Sequence, residues 1–248
     1  METIRVFVGF DQREALAYHV FCQSVIDRAS VPVSFIPIHK GMLKGFDGKR
    51  DGSNAFTFSR YLVPSLCGFN GWALFCDSDM VCDKDIKELW DLRPAFDKAV
   101  CVVKHDYKTK HPAKYVGTPM QSKNVDYPRK NWSSLILWNC GHFANRSLTP
   151  EFVSQQTPQF LHRFEWMKDE QIGELPQDWN YLVSEYPPSS ASIYHYTLGV
   201  PGIRNYADHY GSWKWHSALV RAMECVGEDT VDIAVRSAAR VGAQKDVA

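Results

Sequence analysis

The chain has 248 residues, and its 28 lysines and arginines are matched by 28 aspartates and glutamates, so the formal net charge at neutral pH is zero. That balance argues against a nucleic-acid binder, which needs a cationic surplus on one face. A hydrophobic share of 45% with 23% charged residues suits one large enzyme-like domain, and no apolar run approaches the roughly 20 residues that span a bilayer. The cysteines (Cys22, Cys67, Cys76, Cys82, Cys101, Cys140, Cys225) form no Cys-x-x-Cys pair. They indicate neither a disulfide framework nor a zinc cluster, and read as small core residues in a reducing compartment. Met1-Glu2-Thr3-Ile4-Arg5 runs straight into a strand pattern without the charged and apolar regions of a leader. The expectation is a cytoplasmic protein, at most peripheral at the inner membrane face.

In chain order, Ile4 to Gly9 is the first strand, rich in β-branched and aromatic residues. Apolar positions from Ala15 to about Arg28 recur at helical spacing, and Val31 to Ile38 is a second strand whose two prolines suit an edge. Strand, helix and strand in so few residues predict a βαβ unit and a parallel sheet. Residues 40–54 are polar and glycine-rich, hence a loop, and Phe56 to Cys67 returns to a helix that Pro64 should kink.

Trp72 to Cys76 is a buried strand ending on Asp77-Ser78-Asp79. Two carboxylates this close repel each other and lose solvation when buried, unless a cation lies between them. Hard carboxylate oxygens at a strand end suit Mg²⁺ or Mn²⁺. A chance Asp-x-Asp in a turn is the plain alternative.

Beyond it, Asp85 to Trp90 is a short helix and Ala99 to Val103 a buried strand that delivers Lys104, His105 and Asp106. Residues 107–131 read as a surface excursion, Ser133 to Trp138 as a strand, 149–192 as short helices and loops, and Ser192 to Tyr194 as a last strand. From about Ala207 the pattern is helical to the end, with a break near Gly227. The sum is a mixed α/β domain whose polar residues gather at strand ends, where open sheets bind ligands.

Six motifs, in this order, resemble the nucleotide-sugar-dependent glycosyltransferases of the GT-A fold, most nearly the family 8 branch. They are Val8-Gly9-Phe10-Asp11, Phe58-Ser59-Arg60-Tyr61-Leu62-Val63-Pro64, Phe75-Cys76-Asp77-Ser78-Asp79, Trp138-Asn139-Cys140-Gly141, Asp169-Glu170-Gln171 with Leu175 to Asn180, and Tyr194-His195-Tyr196-Thr197-Leu198-Gly199. The resemblance implies a GT-A domain over 1–205, with a Rossmann-like, mostly parallel central sheet flanked by helices. A helical extension over 206–248 would pack on that domain or on a partner.

By the same resemblance, Asp77, Asp79 and His195 hold Mn²⁺ or Mg²⁺, with Ser78 between the aspartates. Arg60 clamps the donor, Val8 and Gly9 let the backbone approach the base, and Asp11 accepts from uracil or ribose. The Lys-Pro-Trp that follows the late histidine in the family and helps hold the diphosphate is missing: the run from Gly199 continues as Val200-Pro201-Gly202-Ile203-Arg204, so either Arg204 replaces that lysine or the contact is absent. Asn139, Asp169 and Glu170 become the catalytic residues, with Trp179 and Asn180 beside them at the acceptor end. The acids serve either as a base in an inverting transfer or only as acceptor-orienting groups in a retaining one.

The implied function is a metal-dependent transfer of a sugar from a nucleoside-diphosphate donor, expected to be a UDP-sugar, to a glycan or glycolipid in surface polysaccharide or lipopolysaccharide synthesis. A sugar-phosphate nucleotidyltransferase and a non-catalytic carbohydrate-binding protein are the rivals. Peripheral membrane contact through the C-terminal helices and a homodimer both stay open.

Overall fold

The computed structural model describes residues 2–43, 46, 54–94 and 97–223. Its strands and α-helices are, in order, β1 (Ile4–Gly9), α1 (Ala15–Ile26), β2 (Val33–Ile38), α2 (Val63–Leu66), β3 (Trp72–Cys76), β4 (Met80–Cys82), α3 (Ile86–Trp90) and β5 (Val100–Val102). They continue with β6 (Ala113–Lys114), β7 (Ser122–Lys123), β8 (Leu135–Asn139), α4 (Pro150–Gln155), α5 (Pro158–His162), β9 (Ile172–Glu174), β10 (Tyr181–Leu182), β11 (Ile193–His195) and α6 (Ser212–Met223).

The central sheet has the order β2-β1-β3-β8-β5-β9. β1 runs parallel to β2 and β3, and β5 parallel to β9, while β8 is antiparallel to both its neighbours. The proline-bearing β2 is an edge, as its composition predicted. Alternation along the strands divides the core into two layers. Val6, Val8, Leu74, Leu135 and Leu137 pack with Phe21 and Val25 of α1 on one face. Phe7, Phe75, Ile136 and Trp138 pack with Tyr61, Val63, Val153 and Phe164 on the other.

The predicted helix over 56–67 is instead a 3₁₀ turn at Ser59–Leu62 followed by the short α2. Pro64 occupies the first turn of α2, where its missing N–H costs nothing. A second, three-stranded sheet pairs β11 parallel to β10 and antiparallel to β4. α6 lies on α1, with Trp215 and Ala218 buried against Ala17 and Val20. The predicted helix beyond Met223, with its break near Gly227, lies outside the described residues.

Candidate active site

β3 delivers Asp77 to the C-terminal edge of the sheet, and Asp79 sits between β3 and β4. His195 reaches the same place through backbone pairing: it is opposite Met80 in the β11–β4 ladder, and Tyr196 N donates to Asp79 O at 2.8 Å. Ligand atoms of Asp77, Asp79 and His195 all lie within 4.8 Å of one another. His195 Nε2 is 3.2 Å from Asp79 Oδ1. Only 7% of Asp79 and 1% of His195 are exposed.

His195 and Asp77 each have a fixing partner. Asn180 Nδ2 donates to Ser134 Oγ at 2.8 Å, which turns Asn180 Oδ1 toward His195 Nδ1 at 2.9 Å. Nδ1 therefore carries the hydrogen and Nε2 faces the carboxylates, the orientation a metal-binding imidazole needs. Arg60, 4% exposed, places Nη1 2.8 Å from Asp77 Oδ1 and 2.8 Å from Ser133 O. Its guanidinium lies against the rings of Phe56 and Phe75. Among the described residues, Asp79 Oδ1 is buried without a hydrogen-bond donor, and the contact of Asp77 Oδ1 is the ion pair with Arg60.

Burial, with help from the Asp79 charge, pushes the Asp77 carboxyl up to about 6, against the pull of Arg60. Burial works the same way on Asp79, but His195, with Lys114 and Tyr115 beside it, outweighs burial and holds that carboxyl below the usual range. Two acceptor-only oxygens and an imidazole nitrogen, close together, fit a divalent cation.

The crevice over this cluster has a volume of about 120 Å³ and is also lined by Lys114, Tyr115, Tyr127, Asn131, Ser133, His162 and Thr197. Tyr115 Oη donates to Asp79 Oδ2 at 3.1 Å and lies 3.3 Å from Glu14 Oε2. Burial, then the nearby Asp79 charge, raises the Glu14 carboxyl to about 8. Lys114 Nζ donates to Thr197 Oγ1 at 2.8 Å. Lys114, Tyr115, Tyr127 and Asn131 come from the polar stretch read as a surface excursion, Ser133 from the short segment before β8, His162 from α5 and Thr197 from the run after β11. Lys114, Tyr115 and His162 carried no motif; for the first two the clustering of lysine, tyrosine and proline over 107–131 was the available signal.

Several predicted residues lie elsewhere. Asn139 ends β8 opposite Trp72, the first residue of β3, because β8 is antiparallel; its side chain donates to Lys98 O at the far edge of the sheet. Asp169 and Glu170 precede β9, which runs parallel to β5, so they too stand at that far edge. Lys98 Nζ bonds Glu170 O, and the exposed Asp169 pairs with Arg129 at 2.6 Å. None of the three lines the crevice. The expectation for Asn139 assumed that every strand delivers its last residues to one rim, whereas Asp169 and Glu170 came from the family resemblance alone.

Trp179 is a core residue, whereas Asn180 is the support of His195. Arg204 is exposed in a 3₁₀ turn, outside the crevice. Asp11 is consumed internally, accepting from Arg13 Nε, Arg13 Nη2 and Ala55 N. Val8 is a fully buried core residue. Gly9 is small because of Phe56: an added Cβ would lie 2.4 Å from its ring. Ser78 is buried beside the pair, and Gly199 adopts φ +152°, with the Tyr206 ring where a side chain would project.

A six-stranded sheet with one reversed strand, and an Asp-x-Asp at its C-terminal edge, define the GT-A class of glycosyltransferase. The solved galactosyltransferase LgtC, in complex with donor and acceptor sugar analogues, superposes with a TM-score of 0.58 at 13% identity, over 88% of this chain and 96% of LgtC. The bifunctional glycosyltransferase WbbM superposes with a TM-score of 0.57 at 13% identity over 88% of this chain, which spans about half (49%) of WbbM. In sequence, Glycosyl transferase family 8 matches residues 33–196. Protein CDI of Arabidopsis thaliana is 45% identical over 209 residues, 79% of this chain and 78% of the relative. The chain belongs to glycosyltransferase family 8, which sets aside the nucleotidyltransferase and the non-catalytic binding module.

Proposed function

We propose that the crevice binds a nucleoside-diphosphate sugar, with uridine as the nucleoside, and passes the sugar to a hydroxyl of a glycan or glycolipid such as surface-polysaccharide assembly supplies. The observation that carries this reading is the cluster of Asp77, Asp79 and His195, with Asp79 Oδ1 short of a donor, at the C-terminal edge of β3. An imidazole among the ligands favours Mn²⁺ over Mg²⁺. Bound there, the cation supplies a Lewis acid beside the donor's phosphates.

The chain's own residues do the rest. Arg60 holds Asp77 in place, and Asn180 keeps His195 Nε2 turned inward. Hydroxyl and amide groups of Asn131, Ser133, Ser134 and Thr197 line the wall that would face the sugar. In the transfer, the bond from the anomeric carbon to the diphosphate oxygen breaks and its electron pair stays on that oxygen. The acceptor oxygen bonds the same carbon and its proton leaves. Among the described residues lining the crevice, the only carboxylates are Asp77 and Asp79. That favours a transfer without a protein base, in which the departing phosphate oxygen takes the proton and anomeric configuration is retained.

The test is a panel of nucleotide sugars with Mn²⁺ or EDTA, scored by thermal shift and by release of free nucleoside diphosphate. Manganese-dependent stabilisation and slow release with one donor are expected. Sugar binding indifferent to manganese, with no release from any donor, would overturn the reading.

A further inference from the structure

Family 8 enzymes are expected to bring a cation to the donor's diphosphate, and Arg204 is the residue that the sequence offered. It is exposed and lies outside the crevice. Among the described residues, the lysine and arginine side chains that line the crevice are Arg60 and Lys114. Arg60 is already engaged at one nitrogen, which meets Asp77 Oδ1 and Ser133 O, and two aromatic rings flank the guanidinium, although its buried Nε has no partner among the described residues. A phosphate would compete with Asp77 for it.

Lys114 is differently placed. It ends β6, the first strand of a small hairpin with β7, and the hairpin's Lys114, Tyr115, Met120 and Ser122 all face the crevice. Backbone pairing fixes the hairpin to the run after β11, since Tyr115 N donates to Leu198 O at 2.7 Å. The ammonium hydrogen-bonds one neutral hydroxyl, Thr197 Oγ1, at 2.8 Å. No carboxylate among the described residues lies within ion-pair distance of it. An ammonium has three donors, so two are left for oxygens of a ligand. Lys114 lines the same crevice as Asp77 and Asp79 but pairs with neither; burial lowers its ammonium from the usual lysine range, and the Asp79 and Asp77 charges work against that. An anion bound between a metal at the carboxylates and Lys114 would be flanked by positive charge on both sides.

Resting on the reading that the crevice takes a nucleoside-diphosphate sugar, we infer that Lys114, held by Thr197, is the residue that binds the donor's diphosphate. It would neutralise the charge that gathers on the leaving oxygen when the glycosidic bond breaks. The function of the family lysine thus comes from the β6–β7 hairpin, not from the run after Gly199. A point-charge contact to phosphate of this kind is an ordinary use of lysine.

The experiment is calorimetry on the full chain with Mn²⁺, using UDP and uridine as probes and comparing Lys114→Met and Arg204→Ala with the unaltered protein. A charge-assisted contact is worth roughly a ten- to hundredfold change in affinity. K114M is expected to lose that much for UDP and nothing for uridine, while its affinity for Mn²⁺ alone holds or rises because a nearby positive charge is gone. R204A is expected to bind UDP as the unaltered protein does. If K114M binds UDP unchanged, or if R204A alone loses it, the assignment to Lys114 is overturned and the proposed function stands. If the unaltered protein does not bind UDP with Mn²⁺, the underlying reading falls and this one with it. Should K114M not fold, Thr197→Val, which removes the hydroxyl that holds the ammonium, should show the same selective loss at smaller size.

Discussion

Asn180 Oδ1 accepts a hydrogen bond from His195 Nδ1 at 2.9 Å, and Asn180 in turn is pinned by Ser134 Oγ. The amide lies just before β10 and the imidazole at the end of β11, two strands that run side by side. Asn180 never faces the crevice, yet it decides which imidazole nitrogen does. Supports of this kind change metal affinity by about 10–100-fold when removed. Asn180→Ala should therefore weaken Mn²⁺ binding by that factor in calorimetry while leaving Asp77 and Asp79 in place. Unchanged affinity would mean that His195 is not a ligand.

Asp79→Asn should abolish both the manganese-dependent thermal shift and the response to EDTA. Lost electrostatic stabilisation of a developing charge typically costs about 10²–10³ in rate, so donor turnover should fall at least that far. A variant that keeps its manganese response would place the cation elsewhere.

The role of Asp11 is structural and dependent on pH. Burial disfavours its charge, but the bonds from Arg13 and Ala55 N outweigh that and bring the carboxyl down to about 2. An unfolded aspartate sits near 3.9. The folded state thus holds its proton less tightly than the unfolded one, and the contribution is fully present above about pH 4 and lost as pH falls through about 2. Asp11→Asn should cost about 1–2 kcal/mol at neutral pH, and the gap between variant and parent in urea unfolding should close across that window.

Gly9→Ala would set a Cβ 2.4 Å from the Phe56 ring. Overpacking of a tight core costs about 1–3 kcal/mol. Denaturant midpoints should show that loss, and Phe56→Leu combined with it should recover part of it. If Gly9 served only to admit a nucleobase, stability would hold and UDP affinity alone would fall.

Asp169→Ala tests the reassignment of the acids. Its carboxylate is 76% exposed and bound to Arg129, so removing it should cost no more than about 1 kcal/mol and leave donor turnover unchanged. A hundredfold fall in kcat would return it to the reaction.

Much of this arrangement was legible in the residues. β1, α1, β2 and β3 declare themselves through periodicity and punctuation, and the Asp77–Asp79 pair through its electrostatic cost. The pairing with His195 came from a family resemblance, and the β11–β4 register supplies its physical cause. Strand direction was not legible. The run Leu135 to Trp138 is equally apolar read either way, and nothing local says that β8 is reversed. The misplacement of Asn139 follows from that. Strands of two or three residues, such as β6, β9 and β10, are too short to show a period. Lys114 on β6 was hidden for this reason, and Asp169 and Glu170 were read without the strand that sets their rim.

The ladder between β4 and β11 also fixes when the site can exist. As the polypeptide leaves the ribosome, both aspartates emerge long before the imidazole that completes their trio, and among the described residues no earlier segment pairs with β4 in its stead. Until β11 zips against β4 the newborn chain carries two carboxylates and no clasp for an ion. Assembly of the Asp77, Asp79 and His195 trio is therefore a late event in synthesis, reached only when nearly the whole family region has been made.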